Sequence, residues 1–215
     1  MSLIKTRGII LKSREFKEKD SLLYIFTGTE GKITVMAKGV RTAKGRYQAA
    51  VQPMMLCDFV LYPGKNMHSL NEAFVVHSFS TVKSDYDRIT YGSYCLELAD
   101  IAMADREINE RYFLDLVKSL YLLDQEEIDP VQVARAFEIK TLVRTGNLPD
   151  PALAESMTAS ARHLTWYMLN KPLEEAVNEK ASAEDLKAVK DLAGGILEDC
   201  FRWRPKSLDV LEQEI

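Results

Sequence analysis

Apolar residues recur along this chain with two different periods. In the first eighty or so residues they form short runs broken by turn residues. Thr6 to Phe16 alternates in part around Ile9, Ile10 and Leu11, and Ser21 to Thr27 is a second run. Lys32 to Lys38, Met55 to Leu61 and His68 to Ser78 follow. Gly28-Thr29-Glu30-Gly31 and Tyr62-Pro63-Gly64-Lys65 read as turns, because proline fixes φ and glycine accepts φ > 0. Five short strands with no room for long helices suit a small closed barrel such as an OB-fold. An SH3-like barrel is the structural alternative, and strand count alone does not separate the two.

From Ser84 the period lengthens. Tyr86, Ile89, Tyr94, Leu98 and Ile101 recur at broadly helical intervals, with few polar breaks, and predict a largely buried helix. Phe113, Leu116, Leu120 and Leu123 predict an amphipathic one. Asp129-Pro130 starts a third with an N-cap residue and a proline at the first position, and Gly146-Asn147 ends it. Arg162 to Asn170 predicts a short helix before Pro172. Ser182, with Asp185 three residues on, caps a long final one. Gly194-Gly195 lies inside that last pattern, and a close helix–helix approach would account for it. The chain thus reads as an α+β, multidomain protein. A five-stranded OB-fold β-barrel occupies residues 1–80 and an all-α helical domain 81–215, with a boundary near Phe79–Lys83 and no flexible linker.

The composition, 47% hydrophobic, is that of a globular protein. The net charge of −4 hides an asymmetry that changes the picture. Residues 1–80 hold 12 Lys and Arg against 6 Asp and Glu, whereas residues 81–215 hold 16 against 26. A basic first part on an acidic second part predicts one face for a polyanion and another for something else. Cys57, Cys95 and Cys200 have no CxxC spacing, so each is expected to pack as a small buried hydrophobe. No apolar run is long enough for a signal peptide or a membrane span, which predicts a cytoplasmic protein with no membrane partner.

Catalytic and metal motifs are missing. His68, His77 and His163 have no ligand spacing, and there is no HExxH, GxSxG or Walker loop. The acidic pairs Glu126-Glu127, Glu174-Glu175 and Glu184-Asp185 sit at helix ends or on exposed faces. No enzyme, cofactor or metal site is therefore expected.

The constructive signal is the stretch from Lys38 to Arg46, where Lys38, Arg41, Lys44 and Arg46 place four cations in nine residues with no acid among them. Gly39 and Gly45 would let backbone N–H groups approach a ligand. Arg7, Lys12 and Arg14 lie on the first strand. Single-strand binders combine such cationic surfaces with base-stacking aromatics. Tyr24 and Phe26, on an apolar strand, are expected in the core, which leaves Tyr47 in the basic loop as the stacking candidate.

The order and spacing of several segments resemble the RecO family of bacterial recombination mediators. They include Gly8-Ile9-Ile10-Leu11, Asp20 to Thr27, Gly31-Lys32, Ala37-Lys38-Gly39-Val40-Arg41, Gln52-Pro53, Tyr62, Glu72-Ala73, Tyr91 to Tyr94, Leu96-Glu97-Leu98, Phe137-Glu138, Gly146, Pro149 and Lys206-Ser207-Leu208. The resemblance implies an N-terminal OB-fold and a helical domain. It also implies binding of single- and double-stranded DNA and annealing of complementary strands. RecR is the implied partner, with help in loading RecA onto strands coated by single-stranded-DNA-binding protein. It matches the Lys38, Arg41, Lys44 and Arg46 loop to the family's DNA-contacting segment. It matches Arg135, Phe137 and Ile139 to the place where the acidic tail of the single-stranded-DNA-binding protein docks. Many relatives carry a four-cysteine zinc element after a Gly-x-x-Pro segment. Here Gly146-Asn147-Leu148-Pro149 is followed by no cysteine through Ala161, so no zinc is expected. An OB-fold protein-interaction adaptor with only weak DNA contact is the alternative reading.

Overall fold

The structure, a computed structural model, describes residues 2–42, 45, 47–148, 156–202 and 207. The strands are β1 (Ile4–Phe16), β2 (Asp20–Thr27), β3 (Gly31–Ala37), β4 (Leu56–Tyr62) and β5 (His68–His77), each within two residues of its expected bounds. They close into one barrel in the order β1-β2-β3-β5-β4, with β4 returning to β1. All pairings are antiparallel except β3–β5, a short parallel contact of Val35 with His68 and Met36 with Ser69. This closure is that of an OB-fold, and the SH3-like alternative is set aside.

One long strand serves both sides of the barrel. Ile4 to Ile9 of β1 pairs with β4, and Gly8 to Phe16 pairs with β2, with a bulge between Ile10 and Lys12. Such a bulge bends a strand and sharpens its twist, which lets β1 turn the corner. Ile10, Leu23, Ile25, Ile33, Val35, Phe59 and Leu61 fill the interior, with Val40, Ala50 and Val51 from the β3–β4 connection. Cys57 belongs to this core.

Strand β2 is apolar on both faces, from Leu22 to Phe26, so its outer face needs a cover. Residues 103–114 supply it: they group with 1–79 as one compact unit. Phe26 is fully buried, its ring centroid 5.9 Å from Tyr112 and 5.8 Å from Phe113. The same segment is pinned to the β2–β3 turn. The Arg106 N–H donates to the Lys32 carbonyl at 2.9 Å, and the Lys32 ammonium lies 3.7 Å from the Asp105 carboxylate. Gly31 sits at φ +67°, and a Cβ there would lie 2.3 Å from the Glu107 carbonyl oxygen. Both the backbone angle and the close approach therefore require glycine.

The second unit comprises residues 80–102 and those from Asp115 onward. Its described helices are α1 (Ser80–Ser84), α2 (Tyr86–Ala102), the later part of α3 (Glu110–Leu123), α4 (Pro130–Thr145), α5 (Ala159–Asn170), α6 (Leu173–Ala176) and α7 (Ala183–Phe201). Helix α4 is the hub, packed on α2, α5, α6 and α7, and every residue from Gln132 to Leu142 is buried. Two of its polar side chains are satisfied by main-chain carbonyls of other helices of the unit. The Gln132 amide donates to the carbonyls of Ala176 and Glu179, and the Lys140 ammonium to those of Leu169 and Lys171, closing the ends of α6 and α5. Ser182 and Asp185 form a complete capping box at the start of α7.

Two expectations are corrected here. Among the described residues no close helix approach explains Gly194-Gly195, since a Cβ built on either meets none of them within 4 Å. Cys57 and Cys95 are buried, but Cys200 is exposed on α7. Among the described residues no helix is long and apolar enough to cross a membrane.

Candidate nucleic-acid interface

The register of the barrel decides which cations share a face. Cross-strand partners point the same way, so Lys12, Tyr24 and Thr34 form one outward row, and Arg14, Leu22 and Met36 the next. Tyr24 is half-buried and presents its ring to this surface. The Lys12 ammonium lies 4.5 Å from the ring centroid and the Arg14 guanidinium 5.8 Å from it. Both distances are those of a cation–π contact. This corrects the placement of Tyr24 in the core. Phe26 is buried as expected, though beneath α3 rather than inside the barrel. The signal for both was the unbroken apolar run of β2, which gives its outer face two aromatics and only one cover.

The loop after β3 is fastened to the turn between β1 and β2. The Gly39 N–H donates to the Asp20 carboxylate at 2.8 Å, and the Arg41 N–H to the Lys19 carbonyl at 3.1 Å. The Arg41 guanidinium donates to the Lys17 carbonyl at 3.2 Å and pairs with Glu15 at 2.7 Å. These bonds hold Lys38 and Arg41 beside the end of the Lys12–Arg14–Tyr24 face. Lys38 is exposed and has no ion pair among the described residues. Lys17 adds a further cation, its ammonium 5.5 Å from the Phe16 ring centroid. Lys44 and Arg46 lie outside the described residues.

The remaining candidates sit elsewhere. Arg7 is on the part of β1 that pairs with β4, where it grips Asp58 through two hydrogen bonds of 2.7 and 2.9 Å. The hydrogen bond from Arg7 holds the Asp58 carboxyl below its usual range. Charge at that position is therefore largely balanced. Tyr47 adopts φ 92° and packs against the barrel core, not outward from the loop.

The surface expected at Arg135, Phe137 and Ile139 is also corrected. Arg135 is 2% exposed and the other two are fully buried within the helical unit. The reason is the all-round packing of α4. Arg135 lies 3.1 Å from Glu138, whose carboxylate accepts a short hydrogen bond from the Tyr94 hydroxyl. Burial raises the Glu138 and Tyr94 pKa values above their ordinary ranges, against the pull of the Arg135 charge. A docking peptide does not reach these three side chains.

Among the described residues no group of His, Cys, Asp and Glu is placed to hold a metal. The donor set of a four-cysteine zinc element is not in this chain, which has three cysteines, two buried in different units. Pro149, where that element would begin, lies outside the described residues.

Fold and surface thus define a class: an OB-fold barrel with a cationic, aromatic outer face, followed by helices. Residues 1–79 match the family model described as Recombination protein O N terminal, and residues 83–152 match Recombination protein O C terminal. The chain is 30% identical over 241 residues to the DNA repair protein RecO of Clostridium acetobutylicum, covering 98% of each chain. It is 32% identical over 208 residues to that of Clostridium kluyveri, covering 94% of this chain and 81% of the relative. Against that of Clostridium novyi it is 40% identical over 146 residues, 68% of this chain but only 57% of the relative. The chain belongs to the recombination protein O family of DNA repair proteins.

Proposed function

We propose that this chain acts in recombination repair as a DNA-binding mediator, without catalysis of its own. It binds single- and double-stranded DNA on the barrel and anneals complementary strands. Together with RecR it helps load RecA onto strands coated by single-stranded-DNA-binding protein. The observation that carries this reading is the Tyr24 ring held by Lys12 and Arg14 beside Lys38 and Arg41. Cations screen the phosphates of two approaching strands and lower the repulsion that opposes pairing, while the ring offers a stacking surface that tolerates any base. The DNA contact is assigned to the barrel unit and the protein partners to the acidic helical unit. Because Arg135, Phe137 and Ile139 are buried, the docking place of the single-stranded-DNA-binding protein is not assigned to α4.

The test is fluorescence anisotropy with single-stranded DNA across a salt titration. Each phosphate contact contributes roughly −0.7 to the slope of log affinity against log salt, so Arg14→Ala with Lys38→Ala should flatten it by about 1.4. Tyr24→Ala should cost roughly 1–3 kcal/mol, about 5- to 150-fold in affinity, with the slope unchanged. A wild-type slope near zero would overturn the reading in favour of the adaptor. A specific feature favours that rival: Phe74, Val75 and Val76 of β5 form an exposed apolar strip suited to a protein partner.

A further inference from the structure

The barrel end beside the basic loop opens into a cleft of about 440 Å³ between β1, β2 and the β3–β4 connection. That volume lies within the usual range of small-ligand sites, roughly 300–1,000 Å³. Its walls are chemically mixed. Ser13 and Ser21 stand on the inward rows of the sheet, paired with Leu23 and Ala37 of the core. Ser21 is only 5% exposed, and neither hydroxyl is hydrogen-bonded to another described residue. Ser13 is half-buried, and both hydroxyls open on the cleft, where a polar occupant can meet them. Gln48 and Gln52 form the opposite wall. The Gln52 amide donates to the Gln48 carbonyl at 3.2 Å, and the Gln48 amide has no bond to a described residue. Buried Val51 lends an apolar surface, and the Glu15–Arg41 pair lies on the rim.

We propose that this cleft is a nucleobase subsite, which takes one unpaired base from a DNA strand lying on the basic face. It prefers a base with an exocyclic amino group. A guanidinium fixed by Glu15 and the Lys17 carbonyl is a plane on which a base stacks. The hydroxyls and amides supply donors and acceptors for its edge. The Glu15 carboxylate accepts from the amino group of cytosine or adenine and meets no such donor on thymine. The same carboxylate disfavours a phosphate or an acidic peptide as occupant. The inference rests on the reading of the barrel as a DNA-binding surface.

The experiment compares the full chain's affinity for a labelled all-thymine oligonucleotide with that for the same oligonucleotide carrying one central cytosine. The wild type should bind the cytosine-containing strand about 5- to 10-fold more tightly. Gln48→Ala with Gln52→Ala, which remove the wall opposite Glu15, should bring that ratio to near one with the salt slope unchanged, since neither side chain is charged. Ser21→Ala should act in the same direction. Steep salt-dependent binding with no cytosine preference overturns the cleft alone and leaves the DNA reading standing. A preference that survives both variants also overturns it. Absence of any DNA binding removes both.

Discussion

Arg88, in the first turn of α2, donates to four main-chain carbonyls: Leu123 at 2.8 Å, Gln125 at 2.7 Å, Glu126 at 2.6 Å and Ile128 at 3.0 Å. These lie at the end of α3 and along its connection to α4. The last carbonyls of a helix have no partner within it, and that end carries the negative pole of the helix dipole. One guanidinium satisfies both needs. Arg88→Met removes the donors and keeps much of the volume. The bonds to Leu123 and Ile128 are buried, so their carbonyls would be left desolvated at about 1–3 kcal/mol each. The other two are partly buried and can recruit water, so together they add about 1 kcal/mol. The expected loss is about 3–7 kcal/mol. Arg88→Lys should recover part of it, because an ammonium has three donors on a single atom and cannot span four acceptors. The assay is urea unfolding followed by helical ellipticity, with hydrogen exchange of residues 122–129 as the local readout. A loss below about 1 kcal/mol for Arg88→Met, or unchanged protection of that connection, would refute the reasoning.

Four other outcomes are expected. Gly31→Ala should destabilise the barrel unit by about 2–4 kcal/mol through left-handed strain and overlap with Glu107, and speed proteolysis at residues 103–109. Gly39→Ala, at φ +66° with open space around it, should cost only about 1 kcal/mol by the same unfolding assay. Gly194→Ala and Gly195→Ala should each stabilise α7 by about 0.5–1 kcal/mol, seen as a higher unfolding midpoint. His68 is buried with its Nδ1 accepting from the Gly64 N–H, and burial first, then the Arg106 charge, holds its pKa below 6.5. The unfolded chain therefore binds a proton that the folded one refuses. The contribution of His68 is present above about pH 6.5 and is lost as pH falls through the depressed value. A thermal unfolding series from about pH 7.5 to 5 should show this fall, and His68→Gln should flatten it; an identical slope in the variant would contradict the assignment.

The parts of this structure that were legible in the sequence are those set by local chemistry. Alternation along β1 to β5, the turn residues between them, and the caps at Asp129, Gly146 and Ser182 all act within a few residues. What was not legible is what tertiary neighbours decide. Tyr24 and Phe26 are two residues apart on the same face of β2, yet one is open and the other buried, because Tyr112 and Phe113 arrive from far along the chain. The family resemblance makes Arg135 part of a docking surface. Its surroundings on α4 are closed by α2, α5 and α7, and its charge is met by Glu138 three residues on. Of the basic loop, the described residues place Lys38 and Arg41. Its fastening through Asp20, Lys19 and Glu15 depends on a hairpin some twenty residues earlier.

Residues 103–114 also bear on how the protein is made. A family boundary near residue 80 suggests that the barrel is finished once β5 has been synthesised. It is not: Phe26 keeps its outer face bare until Tyr112 and Phe113 emerge. At ordinary translation speeds of 5–20 residues per second, the stretch from residue 79 to residue 114 takes roughly 2–7 s. During that interval the nascent barrel presents a sticky patch. Helix α2, threaded between the two parts of the barrel unit, emerges before the α4 surface against which it packs. Both units must therefore wait for sequence that lies beyond the other's first piece. A ribosome paused between residues 80 and 114 would hold two incomplete cores at once, the stage at which a chaperone has most to shield.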